Sequence, residues 1–193
     1  MFTELYSYLK LVHVVSALLF FGLGGAYNLH KAAVDRSTDF GTLRSALARF
    51  QTLLKSYRAV GLILFLSGLA LVFTAWGWHI AWVNLALALF LSNLVIGSFV
   101  DEPWGKAVKK LAAQGQGELS PEAKAVVADP RMNFSHTLKT GIDFALIFLM
   151  TVKPALWVAL IGAAIIIPAY TAFATRRHGA VKTSAAPRLA EEV

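Results

Sequence analysis

The chain has 193 residues, 57% of them hydrophobic and 15% charged, with a mean hydropathy of +0.61 and a formal net charge of +7. A soluble domain carries about 25% charge and about 45–50% apolar residues; this excess cannot be hidden inside so small a globule, so the chain belongs in lipid. Soluble enzymes, disordered tails and disulfide-stapled modules are excluded, and with no Cys there are no disulfides, iron–sulfur clusters or thiolate metal sites.

Crossing the hydrocarbon core as helix takes roughly 20 apolar residues. The first span runs from Leu5 to Leu29, interrupted only by Lys10 and His13. It lacks the basic start, short apolar core and small-residue cleavage site of a signal peptide. Between it and the second span, Leu43, Leu47, Phe50, Leu54 and Tyr57 recur at three- and four-residue steps. They predict an amphipathic helix at the membrane surface that runs on into the second span. The second span covers about Ala59 to Trp78 and the third about Ala81 to Val100, with a tight turn at His79. The polar stretch Asp101 to Asn133 comes next. It is broken at Gly115-Gln116-Gly117 and holds a short helix with Ser120 as N-cap and Pro121 at its first position, closed by Asp129-Pro130. A fourth span, Phe134 to Val152, is stopped by Lys153-Pro154. The fifth runs from Ala155 to Phe173, and from Gly179 the chain is expected to form an aperiodic, disordered cytoplasmic tail. No internal repeat is present. The expected fold is an all-α polytopic bundle of about five spans within residues 1–178.

Five spans place segments 30–58 and 101–133 and the C-terminal tail on one side. All 18 basic residues except Lys10 and Lys153 then fall there. The positive-inside rule makes that side cytoplasmic, with the N-terminus outside and the C-terminus inside. Such a distribution suits a multi-pass protein of a cell membrane, such as the bacterial inner membrane. The +7 charge is thus a topology signal and a contact for anionic lipid; it does not point to nucleic acid.

Ionisable groups inside a bilayer are costly and are candidate functional residues. Tyr6, Lys10, His13, Ala17, Gly24 and Asn28 share one helical face, and Gly22, Gly24, Gly25 and Ala26 are small enough for another helix to approach. His13 lies about 12 Å along the axis from Leu5 at about 1.5 Å per residue. A neutral imidazole there can serve as a metal or haem ligand, or bond a neighbouring Ser or Asn.

The segment Tyr8 to Val15, with Lys10-x-x-His13, resembles the first-helix motif of the CopD-like superfamily. That group includes copper-resistance membrane domains, HemJ-type membrane protoporphyrinogen oxidases and small predicted integral membrane proteins of unknown function. Met150 to Pro154 resembles the Lys-Pro that closes a late helix in the last of these, the nearest in pattern. The resemblance implies a helical bundle and, from the oxidase branch, b-type haem with His13 as axial ligand. That branch also uses a Lys in its third helix, and Trp82 to Val100 contains none. Met150 is the nearest sulfur ligand in depth, so five-coordinate haem, His13/Met150 ligation or no haem all remain open. Lys10 and Lys153 could neutralise propionates or simply snorkel to water. Copper transport finds little support, because Cu(I) favours thiolate and thioether ligands and the only Met residues are Met1, Met132 and Met150.

His136, Lys139, Thr140 and Asp143 line one face of the fourth span. They form either a row that passes protons or binds a polar headgroup, or a self-neutralising helix end with Lys139 paired to Asp143. Asn93 beside Ser92 reads as an interhelical packing device. Trp76, Trp78, Trp82 and Trp157 form an outer aromatic belt, with Trp104 in the same role on the inner face. Two functional expectations result: a haem-holding redox protein built on His13, or a cofactor-free accessory or transport subunit that pairs with another membrane protein or a second copy of itself.

Overall fold

The computed structural model describes residues 2–185, with side chains described over 4–176. Helix α1 spans Phe2–Asp35, and α2 spans Phe40–Leu71 and continues through a π turn at Val72–Trp76. Helix α3, Ala81–Ile96, passes through a second π turn at Gly97–Asp101 directly into α4, Glu102–Gln114. Then come α5 (Pro121–Val127), α6 (Pro130–Val152) and α7 (Leu156–Ala185). Among the described residues there is no strand, only an isolated bridge between Asp39 and Glu118. The chain is an all-α membrane bundle, as its composition requires.

The helix boundaries reflect local chemistry. The Asp39 carboxylate accepts from the backbone N–H groups of Gly41 and Thr42 at 2.8 and 2.9 Å, capping α2. Ser120 Oγ accepts from Ala123 N–H ahead of Pro121. Asp129-Pro130 closes α5 and also begins α6, with Asp129 Oδ1 accepting from Arg131 N–H at 2.8 Å. Lys153 takes the left-handed conformation, φ 50°, and its N–H bonds Leu149 O before Pro154 ends the helix.

Helices α1 and α2 run antiparallel along their whole length: His13 meets Leu64 and Ser67, Phe20 stacks on Tyr57, and Tyr27 packs on Phe50. Helix α6 is antiparallel to both α3 and α7, through Asn93 to Asp143 on one side and Phe144 to Tyr170 on the other. At Gly141 a Cβ would stand 3.0 Å from Ile167 O, so the absent side chain lets the α6 and α7 backbones touch.

A helix of 34 residues is about 51 Å long, well beyond the roughly 30 Å hydrocarbon core. The surplus of α1, α2 and the α3–α4 rod gathers at one end with α5 and the start of α6. There Val34, Leu43, Leu47, Phe50, Trp104, Val108, Val127 and Met132 form one core, the basal layer. The sequence stripe Leu43-Leu47-Phe50 is therefore buried against protein, and the start of α2 is not a separate helix resting on lipid. Arg44 reaches across to cap α4, donating to Ala112 O and Gly115 O at 3.0 and 3.1 Å. Above this layer lies a second core, around Phe20, Leu64, Trp82, Phe90, Leu146 and Leu149.

Four helical stretches are long and apolar enough to cross a membrane: Glu4–Asp35, Phe40–Trp76, Ala81–Gln114 and Leu156–Arg176. At most 28% of their apolar windows is buried within the protein. The rest needs a hydrocarbon solvent. Helix α6, the fourth expected span, has the length to cross but not the apolarity. Ser135, His136, Thr137, Lys139, Thr140 and Asp143 occupy its basal half, and all are at least partly covered by protein. The polar face is tolerated because neighbouring helices, not lipid, surround it.

Three expectations are corrected. Nothing stands within 4 Å of where a Cβ would sit on Gly22 or Gly25, so of that small-residue group Gly24, against Tyr57, makes the close approach. The aromatic belt divides: Trp78 and Trp157 are exposed, while Trp76 and Trp82 turn inward. Trp104 is buried in the basal core and donates Nε1–H to Val127 O at 3.2 Å, which is not an interfacial role. As for the tail, α7 is helical to Ala185, so residues 179–185 continue the helix; 186–193 lie outside the described residues.

Candidate functional site

The π turn that ends α2 shapes the principal cavity. A π turn adds a residue to the helical turn and so re-aims the side chains beyond it. Here Gly77 N–H bonds Val72 O at 2.8 Å, and Trp76 swings its edge toward His13, with ring centroids 6.4 Å apart. The cavity lies between α1, α2, α3 and α6. His13, Phe21, Phe65, Trp76, Phe90 and Met150 are among its walls, and the space unfilled by atoms, counting its open mouth, is about 660 Å³. Small-molecule pockets are mostly apolar with few polar groups. This one matches, and His13 is its titratable wall.

The His13 tautomer is set by its partners. Nδ1 lies 3.2 Å from Leu64 O and 3.3 Å from Ser67 Oγ. A carbonyl oxygen only accepts, so Nδ1 carries the proton and donates it. Ser67 Oγ itself donates to Leu64 O at 3.1 Å, which leaves its own oxygen as the second acceptor for His13. In the neutral ring Nε2 is then the unprotonated nitrogen, and it makes no hydrogen bond among the described residues. An imidazole held by Nδ1–H on a backbone carbonyl is the arrangement that orients metal-ligating histidines. Gly68 makes the approach feasible, since a Cβ there would stand 2.9 Å from His13 Cε1. Ser67-Gly68, a small polar pair near the middle of an apolar span, is the mark this contact leaves in the sequence.

Among the other expected site residues, Met150 lines the same cavity as His13, so these two are brought together. Lys10 is exposed, its Nζ 5.9 Å from the Tyr6 ring, and Lys153 is exposed beyond the end of α6. Neither lines the cavity. Among the described residues no group of three or more His, Asp or Glu side chains could hold a metal ion.

The row on α6 is rearranged. Lys139 does not pair with Asp143. Its ammonium ion-pairs with Asp101, which the second π turn turns toward α6, and Ser135 Oγ donates to the other Asp101 oxygen at 2.8 Å. Asp143 instead accepts from Asn93 Nδ2 at 2.9 Å, so Asn93 is a partner of the deepest carboxyl group rather than a general packing residue. The His136 ring lies 4.6 Å from that of Tyr27. Lys31, which the sequence marks only as one more basic residue, is 4% exposed. It pairs with Asp35 at 2.7 Å, donates to Asn133 Oδ1 at 3.0 Å and faces the Trp104 ring at 5.0 Å. A buried lysine needs such a set of partners, but they come from three helices and no spacing predicts them.

Residues 7–154 match the family described as predicted integral membrane protein (DUF2269), and the chain belongs to that family. The matched region holds Lys10, His13, the whole cavity and the Lys153-Pro154 stop. Neither the curated proteins nor the solved structures provide a match to this chain.

Proposed function

We propose that this integral membrane protein binds b-type haem in the cavity beside His13 and serves as a redox or electron-transfer protein. The observation that carries the reading is the fixed His13 tautomer, with Nδ1–H on Leu64 O and Nε2 unprotonated at the wall of an aromatic cavity. The residues suit the group: the His13 imidazole nitrogen and the Met150 thioether would hold iron, and Phe21, Phe65 and Phe90 would pack against the macrocycle. Bound there, haem supplies one-electron chemistry. The protein's part is to hold the imidazole by Leu64 and Ser67 and to keep water out with apolar walls. The likeness of Lys10-x-x-His13 to the CopD-like motif supports the same assignment. The basic residues of the basal layer favour a cytoplasmic basal end, with the N-terminus outside, in a cell membrane of the bacterial inner-membrane kind. A chain without Cys makes this checkable: a Cys placed at position 153 is expected to react with an impermeant thiol reagent from outside, and one at 122 only after lysis.

Reduced-minus-oxidised spectra of the protein purified in mild detergent after haem-replete expression test the haem reading. A b-type band is expected in the native chain and is lost in His13→Ala, while Met150→Leu retains haem with an altered spin state. No band in the native chain overturns the reading and leaves a cofactor-free accessory subunit.

A further inference from the structure

We propose that Asp143 and Asn93 form a proton-binding site at the basal end of the His13 cavity, in which Asp143 carries an exchangeable proton inside the membrane. The placement comes from two helical faces. On α3, Val83, Ala86 and Phe90 line the cavity, and Asn93 continues that face one step further. On α6, Met150 and Leu146 line it, and Asp143 is the next residue on the same face. The pair is therefore the layer directly beneath the cavity, and it does not depend on what the cavity holds.

The chemistry comes from an imbalance in hydrogen bonding. Asn93 is 8% exposed, and its Nδ2 donates to Asp143 Oδ1 at 2.9 Å, yet its Oδ1 is buried with no hydrogen-bond partner. An ionised carboxylate only accepts, so it satisfies the amide N–H and does nothing for the amide oxygen. A carboxylic acid satisfies both: its carbonyl oxygen accepts from Nδ2–H, and its O–H donates to Asn93 Oδ1. Burying the neutral acid between the helices also avoids the desolvation of a charge.

The charges around Asp143 fit this state. Lys139, one turn away on the same helix, is committed to Asp101. Helix α2 brings Tyr57 within electrostatic reach, α3 brings Asn93, the π turn after it brings Asp101, and α7 brings Tyr170, whose ring packs on Phe144. Among the described residues Asp143 makes no ion pair. When the proton leaves Oδ2, the new carboxylate faces Lys139. The Asp101–Lys139–Ser135 group forms the next polar layer toward the basal end.

Infrared difference spectroscopy of the full chain in lipid nanodiscs, over a pH titration in H2O and D2O, tests the site. At neutral pH a protonated-carboxyl C=O band is expected that shifts down in D2O and is lost in the near-isosteric Asp143→Asn. In Asn93→Leu the band moves to higher frequency, because the N–H donated to that carbonyl is gone. Absence of the band in the native chain at neutral pH overturns the proposal without recourse to any variant. So does a band untouched by Asp143→Asn, or one abolished by Na⁺ at constant pH, which would mark a cation site instead.

Discussion

In the basal layer Val34, Leu43, Val108, Val127 and Met132 are fully buried, one on each of the helices α1, α2, α4, α5 and α6 that close over them. Above it, the membrane half leaves a cavity open beside His13 while Leu18, Phe99 and Trp157 turn outward. The contrast reflects the solvent each half meets. Water outside the basal layer drives apolar side chains together, whereas lipid is as apolar as the core and gives no such drive between helices. The membrane half is held by close backbone approaches, such as Gly141 on Ile167, and by polar contacts, such as His13 on Leu64. A cavity can persist there because little is gained by closing it. Stability should therefore reside mainly in the basal layer and ligand chemistry in the membrane half.

Trp104→Ala puts this division of labour under the greatest strain. Trp104 packs edge-on to Phe50, lies under Lys31 and bonds Val127 O. Removing a buried Trp costs about 3–5 kcal/mol, which denaturant titration in detergent should register as a loss of unfolding free energy. A loss below about 0.5 kcal/mol, within what surface changes produce, would mean that the basal layer does not carry the stability.

A smaller effect, confined to the other half, is expected for Gly68→Ala. The new methyl would press on His13 Cε1, and overpacking of this kind costs about 1–3 kcal/mol. The more telling readout is the imidazole itself: nitrogen NMR should show His13 losing its fixed Nδ1–H form. An unchanged tautomer would mean that Gly68 does not position the ring.

The smallest effect is a pH dependence at the basal edge. The Thr42 backbone N–H, then the Thr42 hydroxyl, hold the exposed Asp39 carboxyl below the usual carboxylate range. A depressed pKa means that the folded state prefers the ionised form. Its stabilisation is therefore complete above the ordinary Asp pKa of about 3.9 and is lost as pH falls through the lowered value. Asp39→Ala should lower the thermal midpoint at neutral pH, with the difference from the native chain fading in strong acid. A difference that persists there would assign the effect to something other than the carboxylate cap.

Much of the fold was legible in the chain because it is local. Apolar runs gave the helices, Ser120-Pro121 gave the start of the short helix, and Asp129-Pro130 and Lys153-Pro154 gave stops, whereas the Asp39 cap of α2 emerged only from the structure. The continuation of the surface stripe into the second span was also readable, since no breaker separates Phe40 from Trp76. What covers that stripe was not: Leu43 shows the same spacing whether it meets lipid or α4. The candidate site divides in the same way. His13 stands out as an ionisable group in an apolar run, and depth alone put Met150 near it. Lys139 was matched with the nearest carboxylate along the helix, one turn away, but the π turn at Gly97–Asp101 presented a better partner from another helix.

Composition and residue order alone therefore establish a helical membrane protein, the starts and stops of its helices, and the presence of His13 and Asp143 where ionisable groups are costly. Those features depend on neighbours a few residues apart. The packing of the helices was needed to show that the basal layer is a closed core and that the Leu64 carbonyl fixes the His13 tautomer. It was needed again to show that Asp143 answers to Asn93 while Lys139 answers to Asp101. Each of these depends on how two helices are rotated against one another, and a π turn that adds one residue changes that rotation without any mark in the hydropathy.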